Sequence, residues 1–246
     1  HFGSSQFDFS TCPGKVWRVD LRAMAEDEGA TMAFFQAVGG GEYDKAKELI
    51  KNGQSIDSEI QGCCALLLAL GVGQCEKNED FAKWMVQNGA NVNVKCGLQD
   101  SSHDATPLHL ALDLNVKFFE LATLLIEKGA DVNAVCGRYP ELQTPLCNAA
   151  FLANNDDAEQ LAKALTVVKQ LLEAKAEVNL AADRGETALH IACSQSCLDL
   201  AKLLLEHGAD LHVKDVGGAE PLDNGGFSED QKAELVALVA KLKEVA

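Results

Sequence analysis

Apolar residues along this chain fall into short paired blocks at helical spacing. The pair between Glu186 and Gly218 is the most regular. Ala188-Leu-His-Ile-Ala192 predicts a short helix. Leu198-Asp-Leu-Ala-Lys-Leu-Leu-Leu-Glu206 predicts a longer one, its apolar residues recurring three and four apart. Gly208 stops the second helix, and Ala209 to Gly218 reads as an extended hairpin arm. This order of turn, short helix, turn, longer helix and arm occupies residues 186–218, which is 33 residues. The same order is visible upstream. Phe34-Phe-Gln-Ala37 precedes Ala46, Leu49 and Ile50 on a second helix, Tyr43 to Lys51, that Asn52-Gly53 ends. Cys64-Ala-Leu-Leu-Leu-Ala69 precedes Phe81, Trp84, Met85 and Val86. Downstream, Leu235, Leu238, Val239 and Leu242 share one face of a last helix, behind the capping box Ser228-Glu-Asp-Gln231.

Two motifs recur in order and in register. Thr187-Ala-Leu-His190 is restated by Thr106-Pro-Leu-His109 and Thr144-Pro-Leu-Cys147. Gly208-Ala-Asp-Leu-His212 is restated by Gly129-Ala-Asp-Val-Asn133 and Gly89-Ala-Asn-Val-Asn93. Together they resemble the ankyrin repeat, a β-turn plus two helices with a T-P-L-H-x-A opening. The resemblance covers about residues 30–246. It implies an all-α solenoid of helix-turn-helix units with β-hairpin arms, in five repeats at about 30–62, 63–97, 104–137, 142–185 and 186–218. A divergent C-terminal cap is expected at 219–246, with Glu220-Pro-Leu-Asp223 as its remnant opening. Residues 1–29 do not match. They are expected to form an N-terminal extension in which Trp17, with Phe7 or Phe9, covers the apolar end of the first repeat; a partner-binding tail is the competing reading.

The repeats are uneven. Cys64 to Trp84 is 20 residues where Thr187 to Leu203 is 16, so four residues are inserted around Gln74-Cys-Glu-Lys77. Thr144 to Gln170 is 26, ten more than the template. Ala153-Asn-Asn-Asp-Asp-Ala-Glu159 is expected to carry that length as a loop, with Asp156-Asp157 capping the next helix. Lys175 occupies the place of Gly208, which predicts a less clean helix end. Asn224-Gly-Gly226 is expected to stop the first helix of the last unit early. Gly39-Gly-Gly41 lacks the preceding strand and the following Lys-Ser/Thr of a phosphate loop and reads as an inter-helix turn.

Composition narrows the function classes. The 246 residues are 47% hydrophobic, ample for a core, and carry a net charge of −16. That charge argues against a general nucleic-acid binder and steers basic partners; a solvated acidic surface without a role is the bland alternative. The longest apolar run, Ala65 to Val72, falls short of the ~20 residues that span a bilayer. Nine cysteines without paired CxxC elements, and no Asn-x-Ser/Thr acceptor, suit free thiols in a reducing compartment. An intracellular location, cytoplasmic or nuclear, is expected.

Candidate chemistry is sparse. The resemblance implies that His109 and His190 tie each turn to the next unit. They lie two repeats apart and cannot share a metal. Cys193, Cys197 and the nearby His190 lack a fourth ligand for zinc. Cys96 and Cys136 hold equivalent places in successive arms. Units stack at roughly 8–10 Å, and a disulfide needs Cα atoms within about 7 Å, so the two are expected to remain reduced. No Ser-His-Asp order, nucleotide loop or carboxylate pair stands on a fold that uses it. No catalysis, cofactor or metal is expected. A redox-sensitive cysteine protein is a third reading, which unreactive thiols would exclude. Asn93, Asn133 and Asn179 hold the hairpin Asn of the repeat. The resemblance implies that they brace the hairpin, and marks them as targets open to asparagine hydroxylation.

The resemblance also implies a monomeric, non-catalytic scaffold that binds a partner protein through hairpin tips and first-helix ends. The alternative is the recognition segment of a larger enzyme or effector. In register from Thr187, those positions are Asp183, Arg184 and Glu186 on the tip and Ser194 and Gln195 on the helix. From Thr144 they are Glu141 and Gln143, with Phe151 and Leu152; the competing reading is that the inserted loop covers Phe151 and Leu152. From Thr106 the helix positions are Asp113 and Leu114, and Arg138 and Tyr139 lie in the following arm. A basic segment docking across repeats three to five is the expected partner.

Overall fold

The computed structural model describes residues 29–60, 62–71, 76–95, 105–114, 116–136, 144–153, 157–182 and 184–245. The expected N-terminal extension with Phe7, Phe9 and Trp17 lies outside them. So do Gln74 and Cys75, Cys96, Arg138, Tyr139, Glu141, Gln143 and Asp183. Within the described residues, helices follow one another in pairs. These are α1 (Gly29–Gly39) with α2 (Tyr43–Lys51), α3 (Ala65–Gly71) with α4 (Glu76–Gln87), α5 (Pro107–Ala111) with α6 (Phe119–Glu127), α7 (Pro145–Leu152) with α8 (Ala158–Glu173), and α9 (Ala188–Ser194) with α10 (Leu198–Glu206). A 3-10 turn (Pro221–Asp223) and α11 (Glu229–Val245) close the array. The first helices α1, α3, α5, α7 and α9 pack one on the next and form an inner row. In the outer row, α6 packs on both α4 and α8, and α11 packs on α10. The strands described are β1 (Glu59–Ile60) and β2 (Cys63–Cys64), an antiparallel pair with Ile60 opposite Cys63. They replace the Thr-Pro turn that the second repeat lacks.

The core runs between the rows. Leu108, Leu121, Leu125, Leu171, Leu189 and Leu200 are buried, and Ala111, Ala122, Ala149, Ala150, Ala188, Ala192 and Ala201 let the helices close on one another. Local signals set the ends. Thr106, Thr144 and Thr187 precede the inner helices in extended conformation, with Pro107 and Pro145 at the first helical position. Outer helices end on a left-handed residue: Gly53, Gly89, Gly129 and Gly208 all have positive φ.

Lys175 does the same, at φ 73°. Its amide reaches Leu172 O at 3.1 Å and the Ala176 amide reaches Leu171 O at 2.9 Å. The Gly208 end is built alike, with 3.0 Å to Leu205 O and 3.0 Å from Ala209 N to Leu204 O. The helix end expected to be ragged is therefore closed. The hydrogen bonds and the burial of Leu171 and Leu172 hold a lysine in a conformation that costs an L-residue on the order of 1 kcal/mol.

The long fourth repeat also departs from expectation. α8 has 16 residues against 9 in α10, and α7 has 8 against 7 in α9. Seven of the ten extra residues are thus outer helix and one is inner helix, and only two lengthen the connection. Ala158-Glu-Gln-Leu-Ala-Lys-Ala-Leu165 consists of strong helix formers, and Lys163 pairs with Glu159 one turn earlier at 2.6 Å. Asp157 caps this helix as expected, its Oδ1 accepting Glu159 N at 3.0 Å and Gln160 N at 3.1 Å. In the second repeat, part of the insertion likewise becomes helix, since α4 starts at Glu76 and runs 12 residues.

The cap has the expected box, with Ser228 N to Gln231 Oε1 at 2.9 Å and Gln231 N to Ser228 Oγ at 3.3 Å. Leu235 is buried against the array, and Glu234 meets Lys202 of α10 at 2.6 Å.

Lys175→Gly relieves the left-handed strain while leaving every backbone bond in place. We expect it to raise stability by about 0.5–1 kcal/mol. A urea midpoint equal to or below that of the unsubstituted protein contradicts the strain.

Candidate functional site: hairpin edge and inner-helix ends

The hairpin edge is held by a ladder of side chains that each bridge two units. Asn93 Nδ2 donates to Gly129 O at 3.0 Å, and its Oδ1 accepts Asp131 N at 2.7 Å. Asn133 does the same to Lys175 O at 3.2 Å and Glu177 N at 2.8 Å. Asn179 repeats it on Gly208 O at 3.1 Å and Asp210 N at 2.8 Å. An amide carries a donor and an acceptor on one planar group. It therefore satisfies both a helix-end carbonyl and the amide two residues on. Asp57 begins the ladder with its acceptor half alone, taking Asn91 N at 2.8 Å. Three arms carry a second turn two residues back: Asn93 N to Asn91 Oδ1 at 2.9 Å, Asn133 N to Asp131 Oδ1 at 3.0 Å and His212 N to Asp210 Oδ1 at 2.9 Å.

The inner-helix starts are held by imidazole. Thr187 N donates to His190 Nδ1 at 3.1 Å, so the proton sits on Nε2, which reaches Ala219 O of the next arm at 3.3 Å. His190 thus fills the capping-box place of a glutamate and binds the following unit as well. Thr106 N meets His109 Nδ1 at 3.3 Å in the same way. Where Cys147 replaces histidine, Thr144 Oγ1 caps the helix alone, accepting Cys147 N at 3.1 Å. Successive arms also join by backbone: Val216 N donates to Arg184 O at 2.9 Å. Gly185 has φ 71°, and a Cβ on it would lie 3.0 Å from Val216 N, so only glycine lets the two arms approach.

The side chains left over form two clusters. On the tip are exposed Arg184, half-buried Glu186 and Val216, which is 79% exposed. At the inner-helix ends are Asp113, Leu114, Phe151, Ser194 and Gln195. Leu114 and Ser194 are exposed, and Asp113, Phe151 and Gln195 are half-buried. Gln195 Nε2 donates to Phe151 O at 3.0 Å, which joins two neighbouring ends. Leu152 does not belong with them. It is fully buried at the end of α7, which is one residue longer than α9, and its carbonyl accepts Gln160 Nε2 at 3.0 Å. Two contributors were missed in the sequence. Val216 was visible as an apolar residue set before Gly217-Gly218 in an otherwise polar tip. Lys117 has φ 56° and reaches Gln160 Oε1 at 2.9 Å. Its signal was the register, since it stands two residues before its helix as Gly41 does.

Cys63, Cys64, Cys136, Cys147, Cys193 and Cys197 are buried thiols. Burial pushes Cys64 and Cys147 up to about 11 and Cys193 to about 12, and Cys197 upward. Such thiols are poor nucleophiles. Among the described residues, no cluster of three His, Cys, Asp or Glu could hold a metal ion, and no helix is long and apolar enough to cross a membrane.

The chain matches the family profile described as ankyrin repeats over residues 34–136 and 138–215. It is similar to ankyrin repeat and SOCS box protein 16 of Homo sapiens, 28% identical over 218 residues, and of Mus musculus, 31% identical over 216. Each alignment covers 76% of this chain and 45% of the relative, so the chain spans about half the length of these relatives. A solved ankyrin repeat domain from Acinetobacter baumannii aligns with TM-score 0.62 at 23% identity, covering 85% of this chain and 97% of that one. A chain from the complex of the predatory endopeptidase of Bdellovibrio bacteriovorus with an immunity protein aligns at 0.54 and 24%, covering 86% and 97%. At these identities the structures establish the fold alone.

Asn133→Ala removes one rung of the ladder. We expect it to cost about 1–2 kcal/mol for two partly solvated bonds and to speed hydrogen exchange at the Glu177 amide. Asn133→Asp, which keeps the acceptor, costs less. Equal stability of all three proteins would remove the ladder from the account. The thiols supply a pH dependence. Their folded pKa values lie above the ordinary 9.0, so above pH 9 the unfolded chain releases protons that the folded chain retains. Stability is whole below about pH 9 and falls as pH rises towards 11–12. A flat denaturation midpoint across that window contradicts the burial.

Proposed function

Because the chain belongs to the ankyrin repeat family, we propose that it is a non-catalytic scaffold that binds a partner protein across its hairpin tips and inner-helix ends, over the third to fifth repeats. One contrast carries this reading. Ladder, imidazole caps and arm pairing engage the backbone of every unit, while Arg184, Glu186, Val216, Leu114 and Ser194 project from that frame. Arg184 has no ion pair among the described residues. Exposed side chains on a pre-ordered frame bind without a large ordering cost. The partner is a basic segment, since the chain carries −16 overall. Arg138, Tyr139, Glu141, Gln143 and Asp183 belong to the proposed surface by register. The aligned chain from the Bdellovibrio complex supports the reading, because that structure holds two proteins together, an endopeptidase and an immunity protein.

A second reading has its own support. The alignment with alpha-latrocrustotoxin-Lt1a of Latrodectus tredecimguttatus covers 74% of this chain and 12% of that protein, at 31% identity. The same surface then serves as the recognition segment of a longer effector.

The proposal is tested with the partner recovered by affinity purification. Arg184→Ala and Tyr139→Ala each weaken binding by more than ~1 kcal/mol, and added salt slows association. Unchanged affinity in both, with loss of binding on substituting outer-helix residues such as Glu127 and Lys169, would place the interface on the other side.

A further inference from the structure

Three Asn-Gly pairs occur in the chain: Asn52-Gly53, Asn88-Gly89 and Asn224-Gly225. In such a pair the glycine amide nitrogen can attack the asparagine side-chain carbonyl, because no side chain on the glycine shields it. Structure separates the three. Gly53 N donates to Ile50 O at 3.0 Å, and Gln54 N to Leu49 O at 3.0 Å. Gly89 N donates to Val86 O at 3.2 Å, and Ala90 N to Met85 O at 3.0 Å. Both nitrogens are locked into helix ends. The Gly225 amide donates to no described residue. Asn224 is exposed and follows a single 3-10 turn, tied by Asn224 N to Pro221 O at 3.3 Å and by its Nδ2 to Asp215 Oδ2 at 3.2 Å. Its ψ of 1° turns the Gly225 nitrogen away from the side chain. Reaction therefore needs a brief opening, and this turn has less to break than a helix end.

We propose that Asn224 is the site of spontaneous deamidation in the folded protein, and that the product loosens the C-terminal cap. Gly225 N bonds to Asn224 Cγ, the Cγ–Nδ2 bond breaks, and ammonia leaves with the proton from the glycine amide. Water then opens the five-membered imide. Addition at Cγ gives aspartate, and addition at the main-chain carbonyl gives isoaspartate. No redox partner is involved.

Either product harms the same junction. Asp215 is a tip acceptor: its Oδ1 takes Gly217 N at 2.8 Å and Ala219 N at 2.9 Å, and Asn224 serves its Oδ2. Those donors, Ala219 first, hold its carboxyl below the usual range. A carboxylate at 224 replaces a donor by a like charge. Isoaspartate also adds a methylene to the main chain beside Gly225, where a Cβ would already lie 2.8 Å from Cys193 O. The turn that joins the fifth repeat to α11 has no room for it.

The test is peptide mapping by mass spectrometry after incubation of the native protein at mildly alkaline pH, with a urea-unfolded sample beside it. The expected result is conversion of Asn224 at least several-fold faster than Asn52 and Asn88 in the native protein, with the three at similar rates when unfolded. Native conversion of Asn52 or Asn88 as fast as Asn224, or no conversion of Asn224 when the unfolded sample converts, overturns the assignment. The deamidated fraction, separated by charge, should melt earlier and be cleaved faster within 228–245. Asn224→Asp should shift the same way, while Asn224→Gln should resist conversion. Identical melting and proteolysis of the two fractions overturns the loosening of the cap.

Discussion

A single planar amide, repeated along the hairpin edge, determines how each unit sits on the next. Apolar packing between the helix rows supplies most of the driving force, but it is non-directional and tolerates sliding. Asn93, Asn133 and Asn179 do not tolerate it. Each holds one carbonyl and one amide of the following unit at 2.7–3.2 Å, and a shift of one residue would break both bonds at once. Packing brings the units together, and the amides set their register. The imidazole of His190 adds a second fastening by capping its own helix and reaching the next arm.

Much of this was legible because the signals are local and repeated. The second helix of the first repeat, Tyr43 to Lys51, follows from Ala46, Leu49 and Ile50 and the stop at Asn52-Gly53. The Asp157 cap, the Ser228 box and the short turn at Pro221 follow from side chains acting within a few residues of themselves. What was less legible depends on contacts distant in sequence. Lys175 reads as a poor helix end, yet the packing of Leu171 and Leu172 and the bond from Asn133 carry it into the glycine conformation. The extra length of the fourth repeat reads as a loop at residues 153–159 when its Asn and Asp residues are weighed first, whereas the Ala, Leu and Glu after Asp157 belong to the helix. Of the candidate site, the register placed Arg184, Glu186, Ser194 and Gln195 at tips and helix ends. It placed Leu152 there too, because nothing in a register reveals that one added helical residue rotates a side chain into the core.

The division of labour has an electrostatic side. Most ion pairs on this acidic chain are exposed contacts of modest worth, such as Lys45–Glu42 and Lys163–Glu159. Stability therefore rests on burial and the hairpin edge, and the surface charge remains available for long-range attraction. The buried thiols take no part, since burial suppresses the anion that would make them reactive.

The added turns of α8 bear on a problem common to periodic surfaces. A scaffold built from near-identical units presents near-identical footholds, and a ligand displaced by one unit meets almost the same landscape. Seven extra helical residues add a step of roughly 10 Å at 1.5 Å per residue, on one unit only. Lys117 and Gln160 hold its base. For the proposed partner, such a step makes alignments displaced by one unit inequivalent.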